Sequence, residues 1–121
     1  AASQIGSTIG LLPGERMTVK NLLYGLLIQS GNDAAFTLAS AHPEGMSGFI
    51  KAMNDTAAAM GLKETSFSDA SGLDDQGYST ARELLQLARR IHQDQLLSTI
   101  VTTPEVVLFD VSGRQSHRIK N

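Results

Sequence analysis

The segment LLIQSGNDAAF, residues 26–36, changes from apolar to polar and back within a few positions. Its polar part consists of Ser30, Gly31, Asn32 and Asp33. A hydroxyl and a carboxamide can exchange hydrogen bonds with a substrate, and a hydroxyl can also relay a proton, so this segment could carry reacting groups. Ser, Gly and Asn are also the residues that a tight corner between two helices needs. The spacing alone therefore favours a structural corner over a site.

The remaining residue types indicate no metal or cofactor chemistry. The histidines, His42, His92 and His117, lack the spacing of a zinc site, and the chain has no cysteine that could supply a thiolate. The stretch from Asp69 to Asp75 lacks the alternating oxygen ligands and the closing Glu of a calcium loop. No G-x-S-x-G segment is present, so the nucleophile elbow of a Ser-His-Asp hydrolase is not predicted. We therefore expect neither a metal nor a cofactor.

Size and charge limit the class of protein. A chain of 121 residues is long enough for one buried core, and no linker or repeat divides it, so we expect residues 1–121 to form a single unit. The formal net charge of -2, with scattered basic residues, argues against a nucleic-acid partner. No apolar run approaches the ~18 residues of a membrane span. Residues 1–4 carry no targeting signal, and we expect no transmembrane segment in this chain.

Hydrophobic periodicity predicts helices on both sides of the polar segment. Thr18 is expected to cap the first helix. Its apolar stripe comprises Val19, Leu22, Leu23, Leu26 and Leu27. Gly31 is expected to end this helix in a left-handed conformation, and Asn32 or Asp33 to accept hydrogen bonds from the first N–H groups of a short second helix. That helix should stop before Pro43. The pattern predicts a tight helix-to-helix corner.

Two further helices are predicted, with a long loop between them. Apolar residues share one face over residues 46–60, which Gly61 ends. Residues 62–79 are polar and aperiodic, which is typical of a folded surface loop. Thr80 and Glu83 form a capping box that begins the next helix. The inward residues of that helix are expected to be Ala81, Leu84, Leu85, Ala88 and Ile91.

The carboxyl-terminal part of the chain predicts a change of structure. A short apolar segment, residues 96–101, ends before Pro104. Residues 106–111 then read as a strand, Ser112-Gly113 as a turn, and residues 114–119 as a returning strand. The fold class predicted from these elements is mainly α, with a C-terminal β-hairpin.

Three longer runs of the sequence resemble one enzyme family. They are TVKNLLYGLLIQSGNDAAFTLA, MNDTAAAMGLKETSF and GLDDQGYSTARELLQLAR, and the opening GSTIGLLPGE matches as well. In this order they closely resemble the D-alanyl-D-alanine carboxypeptidases, the low-molecular-weight penicillin-binding proteins of serine peptidase family S11. The likeness covers nearly the whole chain, so it is far more specific than the Ser-x-Asn triplet.

The resemblance implies the β-lactamase and penicillin-binding-protein fold, in which S-x-x-K, Ser-x-Asn and K-T-G elements converge on one cleft. Ser30-Gly31-Asn32 matches the second element, on a loop of the helical lobe. Ser30 would relay a proton between the nucleophile and the departing D-alanine amine. Asn32 would hold the peptide group of the substrate without adding charge, and Gly31 would allow close backbone approach. The catalytic residues would thus be Ser30 and Asn32, with Gly31 completing the substrate-binding set.

The resemblance also assigns residues 66–82 to the loop that orders the back of the cleft. Asp74 could anchor backbone amides there, although a simple turn role is as good an interpretation. Arg82 and Glu83 are expected to cap the following helix and to have no chemical role.

The other two catalytic elements are absent from these residues. None of the lysines, Lys20, Lys51, Lys63 and Lys120, has a serine three positions before it, and none is followed by Thr-Gly. In the family that the chain resembles, the nucleophile lies upstream of the GSTIG-like stretch and K-T-G lies downstream of the hairpin. We therefore expect this chain to be the helical subdomain of a larger transpeptidase-like domain and to be inactive alone.

Two hypotheses for function follow. The first is part of a serine-type D-Ala-D-Ala carboxypeptidase that removes the terminal D-alanine from peptidoglycan stem peptides through an acyl-enzyme. Its implied partners are the stem peptide, β-lactams and the remaining parts of the same enzyme, and its implied location is extracytoplasmic, in the periplasm or cell envelope. The alternative is a non-catalytic helical module that uses the Ser30 corner as a binding or structural joint. A large uncovered apolar patch near residues 106–111 would favour the first, and a chain without an exposed apolar face the second.

Overall fold

A computed structural model describes residues 5–121, which contain helices and one hairpin. The elements in chain order are α1 (Val19–Gln29), α2 (Asn32–Ser40), α3 (Gly45–Ala59), α4 (Ala81–Gln93), α5 (Gln95–Val101), β1 (Glu105–Phe109) and β2 (Ser116–Lys120). The fold is therefore mainly helical with a C-terminal β-hairpin, as the sequence predicts. No helix in the described part of the chain is both long and apolar enough to cross a membrane.

Contacts within the described residues group them into two compact units. One unit comprises the residues up to Leu38 together with Thr99–Asn121, and the other comprises Ala39–Ser98. The candidate triplet and the hairpin belong to the first unit, while the long loop and α4 belong to the second.

The first unit is organised around a hydrophobic core that draws on all of its elements. The core comprises Ile9, Leu11, Leu22, Ile28, Ala34, Ile100, Leu108 and Ile119. Helix α1 lies against both strands of the hairpin, so the helix that leads into the corner rests on a sheet. Ile100 and Ile119 are fully enclosed, which fixes α5 and β2 to the same core. Burying side chains of this size stabilises the unit by about 1.5–3 kcal/mol each.

The hairpin buries one face and exposes the other. Its strands are antiparallel, with Val106 opposite Ile119 and Leu108 opposite His117. The strands are shorter than the sequence predicts because the turn is wider. The Asp110 carboxylate accepts hydrogen bonds from the Ser112 hydroxyl and the Gln115 amide, which closes the turn with side-chain bonds.

Helix α1 begins as predicted and ends differently. The Thr18 hydroxyl accepts a hydrogen bond from the Asn21 amide at 3.1 Å, which is the expected N-cap. At the other end the left-handed residue is Ser30, with φ 55° and ψ 43°, and not Gly31. Val19, which the pattern places in the stripe, is 65% exposed because it is the first residue of the helix.

The second unit contains α3, the long loop and α4. The loop is a folded structure, as predicted: Ser66 and Tyr78 exchange backbone hydrogen bonds of 2.9 and 3.0 Å, which close the intervening residues into a compact excursion. Asn54 of α3 supports it, because its side chain donates to the Phe67 carbonyl and accepts from the Phe67 amide, each at 2.8 Å.

The predicted inward face of α4 is wrong except at Ile91, which is half-buried. Leu84 and Leu85 are 53% and 51% exposed, and the alanines of the same stripe are exposed as well, whereas Glu83 is buried. Glu83 faces inward because its carboxylate accepts hydrogen bonds from the Glu64 amide and the Thr65 hydroxyl. Half of the predicted capping box is observed: the Thr80 hydroxyl accepts from the Glu83 amide at 3.3 Å, while the Glu83 carboxylate bonds to Glu64 and Thr65 instead.

Candidate active site

Ser30 lies at the corner between α1 and α2 and is exposed. It is the one residue other than glycine with a positive φ in the described part of the chain. Its backbone amide donates to the Gly25 carbonyl, which ends α1. Its hydroxyl makes no hydrogen bond with any residue of the range 5–121. The corner therefore presents a hydroxyl that is available to an incoming group.

Gly31 follows in a position where a side chain would not fit. A Cβ at this residue would lie 3.0 Å from the Gly25 carbonyl oxygen, 3.0 Å from a methyl of Ile9 and 3.2 Å from the Asp33 carboxylate. Its amide donates to the same Gly25 carbonyl at 3.1 Å. The close backbone approach seen at Gly31 is therefore to other parts of this chain.

Asn32 is the first residue of α2 and is 6% exposed. Its side-chain amide group donates to the Ile5 carbonyl at 2.8 Å, and its backbone amide donates to the Ser7 carbonyl at 2.8 Å. Its carboxamide oxygen accepts no hydrogen bond from a described residue. The protein therefore orients this amide through its side-chain N–H.

Asp33 has a larger part in this corner than the sequence suggests. The sequence predicts it only as a possible helix cap, and its carboxylate does accept from the Ala34 amide at 3.0 Å. The same carboxylate also accepts from the amides of residues 9–11, more than twenty positions away. An acidic residue directly after a Ser-x-Asn triplet, at the start of an apolar helix, is the signal that could have identified it.

A separate cavity of about 410 Å³ lies in the long loop. Met53, Phe67 and Tyr78 contribute to its walls, and the enclosed Ser68 hydroxyl is among its lining groups. None of the lining residues belongs to the Ser30 corner.

Asp69, and not Asp74, is the residue that anchors several backbone amides in this loop. Burial raises the pKa of Asp69, but hydrogen bonds from the Ser71 hydroxyl and from the amides of Gly72, Leu73 and Asp74 outweigh burial, so its pKa lies below the ordinary value of 3.8. Asp74 is exposed and accepts only from the Gln76 amide, at 2.7 Å, which is a simple turn. The turn interpretation of Asp74 is therefore the correct one.

The histidines have separate partners. His117 Nε2 lies 2.6 Å from Glu15 Oε1, and both side chains are buried. The His42 ring packs edge-on against Phe49, and His92 Nδ1 lies 3.3 Å from the Ser98 hydroxyl. Over the described range 5–121, no three His, Asp or Glu side chains are grouped so that they could hold a metal ion.

Comparison with known proteins gives one consistent result. The family model described as Peptidase S11, D-alanyl-D-alanine carboxypeptidase, matches residues 2–119. D-alanyl-D-alanine carboxypeptidase DacF of Bacillus subtilis is 41% identical over 116 residues, which are 95% of this chain and 30% of that protein. D-alanyl-D-alanine carboxypeptidase DacC of Escherichia coli is 39% identical over 89 residues, which are 73% of this chain and 22% of that protein.

Solved structures agree with these sequence matches. The crystal structure of an evolved putative penicillin-binding protein homolog from Mycobacterium tuberculosis superimposes with a TM-score of 0.90 at 33% identity, over 99% of this chain and 46% of that chain. A D-alanyl-D-alanine carboxypeptidase from the same organism gives a TM-score of 0.85 at 33% identity, over 94% and 44%. The chain thus spans between about a fifth and about a half of the length of these relatives. Sequence and fold together place the chain in the D-alanyl-D-alanine carboxypeptidase family S11.

Proposed function

We propose that this chain is the helical lobe of a serine-type D-alanyl-D-alanine carboxypeptidase and contributes the Ser-x-Asn element of its active site. The observation that carries the proposal is the Ser30 corner. It presents an exposed hydroxyl without a partner among the described residues, held in a left-handed backbone, next to an amide that the protein orients. A simple helix joint requires neither the hydroxyl nor the left-handed serine, since glycine would serve there at lower cost.

The proposed reaction is removal of the terminal D-alanine from a peptidoglycan stem peptide. A serine hydroxyl supplied by the S-x-x-K element attacks the carbonyl of the penultimate residue, an ester bond forms, and the C–N bond to the terminal D-alanine breaks. The proton of the attacking hydroxyl must reach the departing amine, and the Ser30 hydroxyl would relay it. Water then hydrolyses the ester. A β-lactam would acylate the same serine, with its ring nitrogen as the departing group.

Asn32 is proposed to hold the peptide group of the substrate. One side-chain N–H is committed to the Ile5 carbonyl, which fixes the orientation of the amide. The carboxamide oxygen, which accepts from none of the described residues, would accept from a substrate N–H, and the second side-chain proton would be donated to a carbonyl. Holding the substrate next to the nucleophile in the correct orientation lowers the activation barrier of the reaction.

The exposed face of the hairpin supports a lobe over a complete module. Val107 and Phe109 are 46% and 53% exposed, and Val111 in the turn is 59% exposed. This is an uncovered apolar patch at the location where the lobe hypothesis requires one. The remainder of the enzyme is the proposed partner of this patch, and the periplasm or cell envelope is the proposed location.

The experiment is covalent labelling by a fluorescent penicillin, followed by intact-mass spectrometry. The 121-residue chain should gain no mass, because it contains neither S-x-x-K nor K-T-G. The longer protein encoded by the reading frame that contains these residues should gain the mass of one penicillin.

Two outcomes would contradict this proposal. A covalent adduct on the 121-residue chain would show that the nucleophile is within it. A longer protein that remains unlabelled would remove the basis for the enzyme hypothesis and favour the non-catalytic module.

A further inference from the structure

Asp33 is a buried carboxylate for which the proposed reaction has no use. Its side chain is 1% exposed, although it belongs to the corner that presents Ser30. Each of the two carboxylate oxygens accepts two backbone hydrogen bonds. Oδ1 accepts from the amides of Ile9 and Ala34 at 3.0 Å each, and Oδ2 accepts from the amides of Gly10 at 3.0 Å and Leu11 at 2.9 Å. An enclosed charge is tolerable only when it is satisfied in this way.

Three of these donors belong to one short segment, residues 9–11, which the carboxylate holds against the start of α2. Ile9 and Leu11 are each 7% exposed and belong to the core. The Ile9 side chain lies directly beneath the corner, because a Cβ at Gly31 would be 3.0 Å from its Cγ2 and a Cβ at Gly25 would be 2.6 Å from its Cδ1. The position of Ile9 therefore sets how closely α1 and the corner can approach this segment.

The residues just before this segment bond to the rest of the corner. The Ser7 hydroxyl donates to the Gln29 carbonyl at 2.5 Å, and the Gln29 side chain donates to the Thr8 carbonyl at 2.7 Å. The backbone amide and the side chain of Asn32 donate to the carbonyls of Ser7 and Ile5. Residues 5–11, which we call the strap, thus contact the corner on both sides of Ser30 and leave the Ser30 hydroxyl untouched.

We propose that Asp33 is a positioning residue, which holds the strap and through it fixes the left-handed backbone of Ser30 and the amide of Asn32. A left-handed serine persists only where its surroundings over-determine it. The hydrogen bonds between the strap and the corner hold Ser30 in this conformation. The buried carboxylate of Asp33 is the most enclosed group that binds the strap. This inference rests on the proposed function, since it assigns a role in the acylation step.

The first test is Asp33→Asn in the longer protein that contains these residues. The amide keeps one acceptor oxygen but directs an N–H₂ group at donors that need an acceptor, so the strap is released. The rate constant of acylation by a fluorescent penicillin should fall about 10- to 100-fold, because small displacements of a catalytic group have effects of this size. Partial unfolding alone would lower the final amount of label and leave the rate constant of the folded molecules unchanged.

A second test leaves the carboxylate in place and strains the strap. Gly10 has φ +81°, and a Cβ there meets only the His117 ring nitrogen at 4.0 Å, while Gly14 has φ +80° with nothing within 4 Å. Gly10→Ala and Gly14→Ala therefore introduce the same backbone strain into open space, but only the Gly10 amide bonds to Asp33. The acylation rate constant should fall several-fold for Gly10→Ala and stay at the wild-type value for Gly14→Ala.

The outcomes separate this proposal from the function on which it rests. Wild-type rate constants for Asp33→Asn and Gly10→Ala would overturn the role of Asp33, while labelling of the wild-type protein would leave the proposed function standing. If Asp33→Asn does not fold, equal rate constants for the two glycine variants overturn the role on their own. A wild-type protein that is not labelled overturns both.

Discussion

Ser30 occupies a backbone conformation that is unfavourable for any residue with a Cβ. The left-handed conformation costs an L-residue about 1–2 kcal/mol, and glycine avoids this cost. Gly31 is the next residue, yet the chain places the left-handed turn on the serine. Backbone strain of this kind is concentrated at functional sites, and the inference runs from the strain to the function. The hydroxyl is the property of Ser30 that glycine would lose.

Ser30→Gly should therefore stabilise the folded protein. Relief of about 1–2 kcal/mol is offset by about 0.5–1 kcal/mol for the greater freedom of glycine in the unfolded chain, which leaves a gain of roughly 0.5–1 kcal/mol. Urea unfolding measures this gain as a higher midpoint. The matched variant is Ser47→Gly, at an exposed position inside α3, where glycine should destabilise instead. Equal losses of stability in both variants would show that the Ser30 conformation carries no strain.

At the residue scale, the sequence indicates residues 30–32 as a candidate site, but it does not indicate that Asp33 holds this corner in place. Ser30, Gly31 and Asn32 were recognisable because their types recur in the family element. The general preference for glycine predicts the left-handed residue at Gly31, whereas the structure has it at Ser30. The role of Asp33 depends on bonds to residues 9–11, and periodicity near the corner contains no information about so distant a segment.

At the scale of elements, Glu83 determines which face of α4 is buried. The hydrogen bond from the Thr65 hydroxyl is the main cause that holds the pKa of Glu83 below its ordinary value of 4.5, and the amides of Glu64 and Lys63 act in the same direction against burial. A lowered carboxylate pKa means that this side chain stabilises the fold above the unfolded pKa. That contribution is lost as the pH falls through the folded pKa.

The pH dependence gives a test of this anchoring. At neutral pH, Glu83→Gln should melt several degrees below the wild type, since the charged acceptor is replaced by a neutral one. The difference should narrow as the pH falls from 4.5 through the lower pKa of the folded Glu83 carboxylate, below which the wild-type side chain is neutral as well. The control is Glu64→Gln, whose exposed side chain makes no comparable bonds. A difference for Glu83→Gln that is constant from pH 7 to pH 3 would contradict the anchoring role.

The elements themselves were largely predictable, and their orientation less so. The helices over residues 46–60 and after Thr80 are confirmed; a side-chain cap marks the start of the second, at Thr80, while α3 begins without one. The buried face of α4 was not predictable from hydrophobicity, because Glu83 is buried with bonds from the Glu64 amide and the Thr65 hydroxyl while Leu84 and Leu85 are exposed. The hairpin was predicted, but its strand ends depend on the Asp110 side chain, which periodicity does not report.

At the scale of the whole molecule, the proposed function gives the chain one element of a site that needs three. Family S11 membership is established over residues 2–119, while the matched solved structures are about twice as long as this chain. The apolar side chains left exposed on the hairpin fit a lobe whose partner lies outside these residues. The proposal of a lobe depends on the absence of S-x-x-K and K-T-G from these residues, and only the sequence shows that absence.

The acylation rate constant of the longer protein, compared between wild type and Ser30→Gly, tests the central claim most directly. Ser47→Gly is the control, and all three proteins are measured with a fluorescent penicillin at a temperature at which each is folded. If Ser30 relays the proton, Ser30→Gly should react about 10²- to 10⁴-fold more slowly than the wild type although it is the more stable protein. Equal rate constants for wild type and Ser30→Gly would contradict the claim that this corner belongs to the active site.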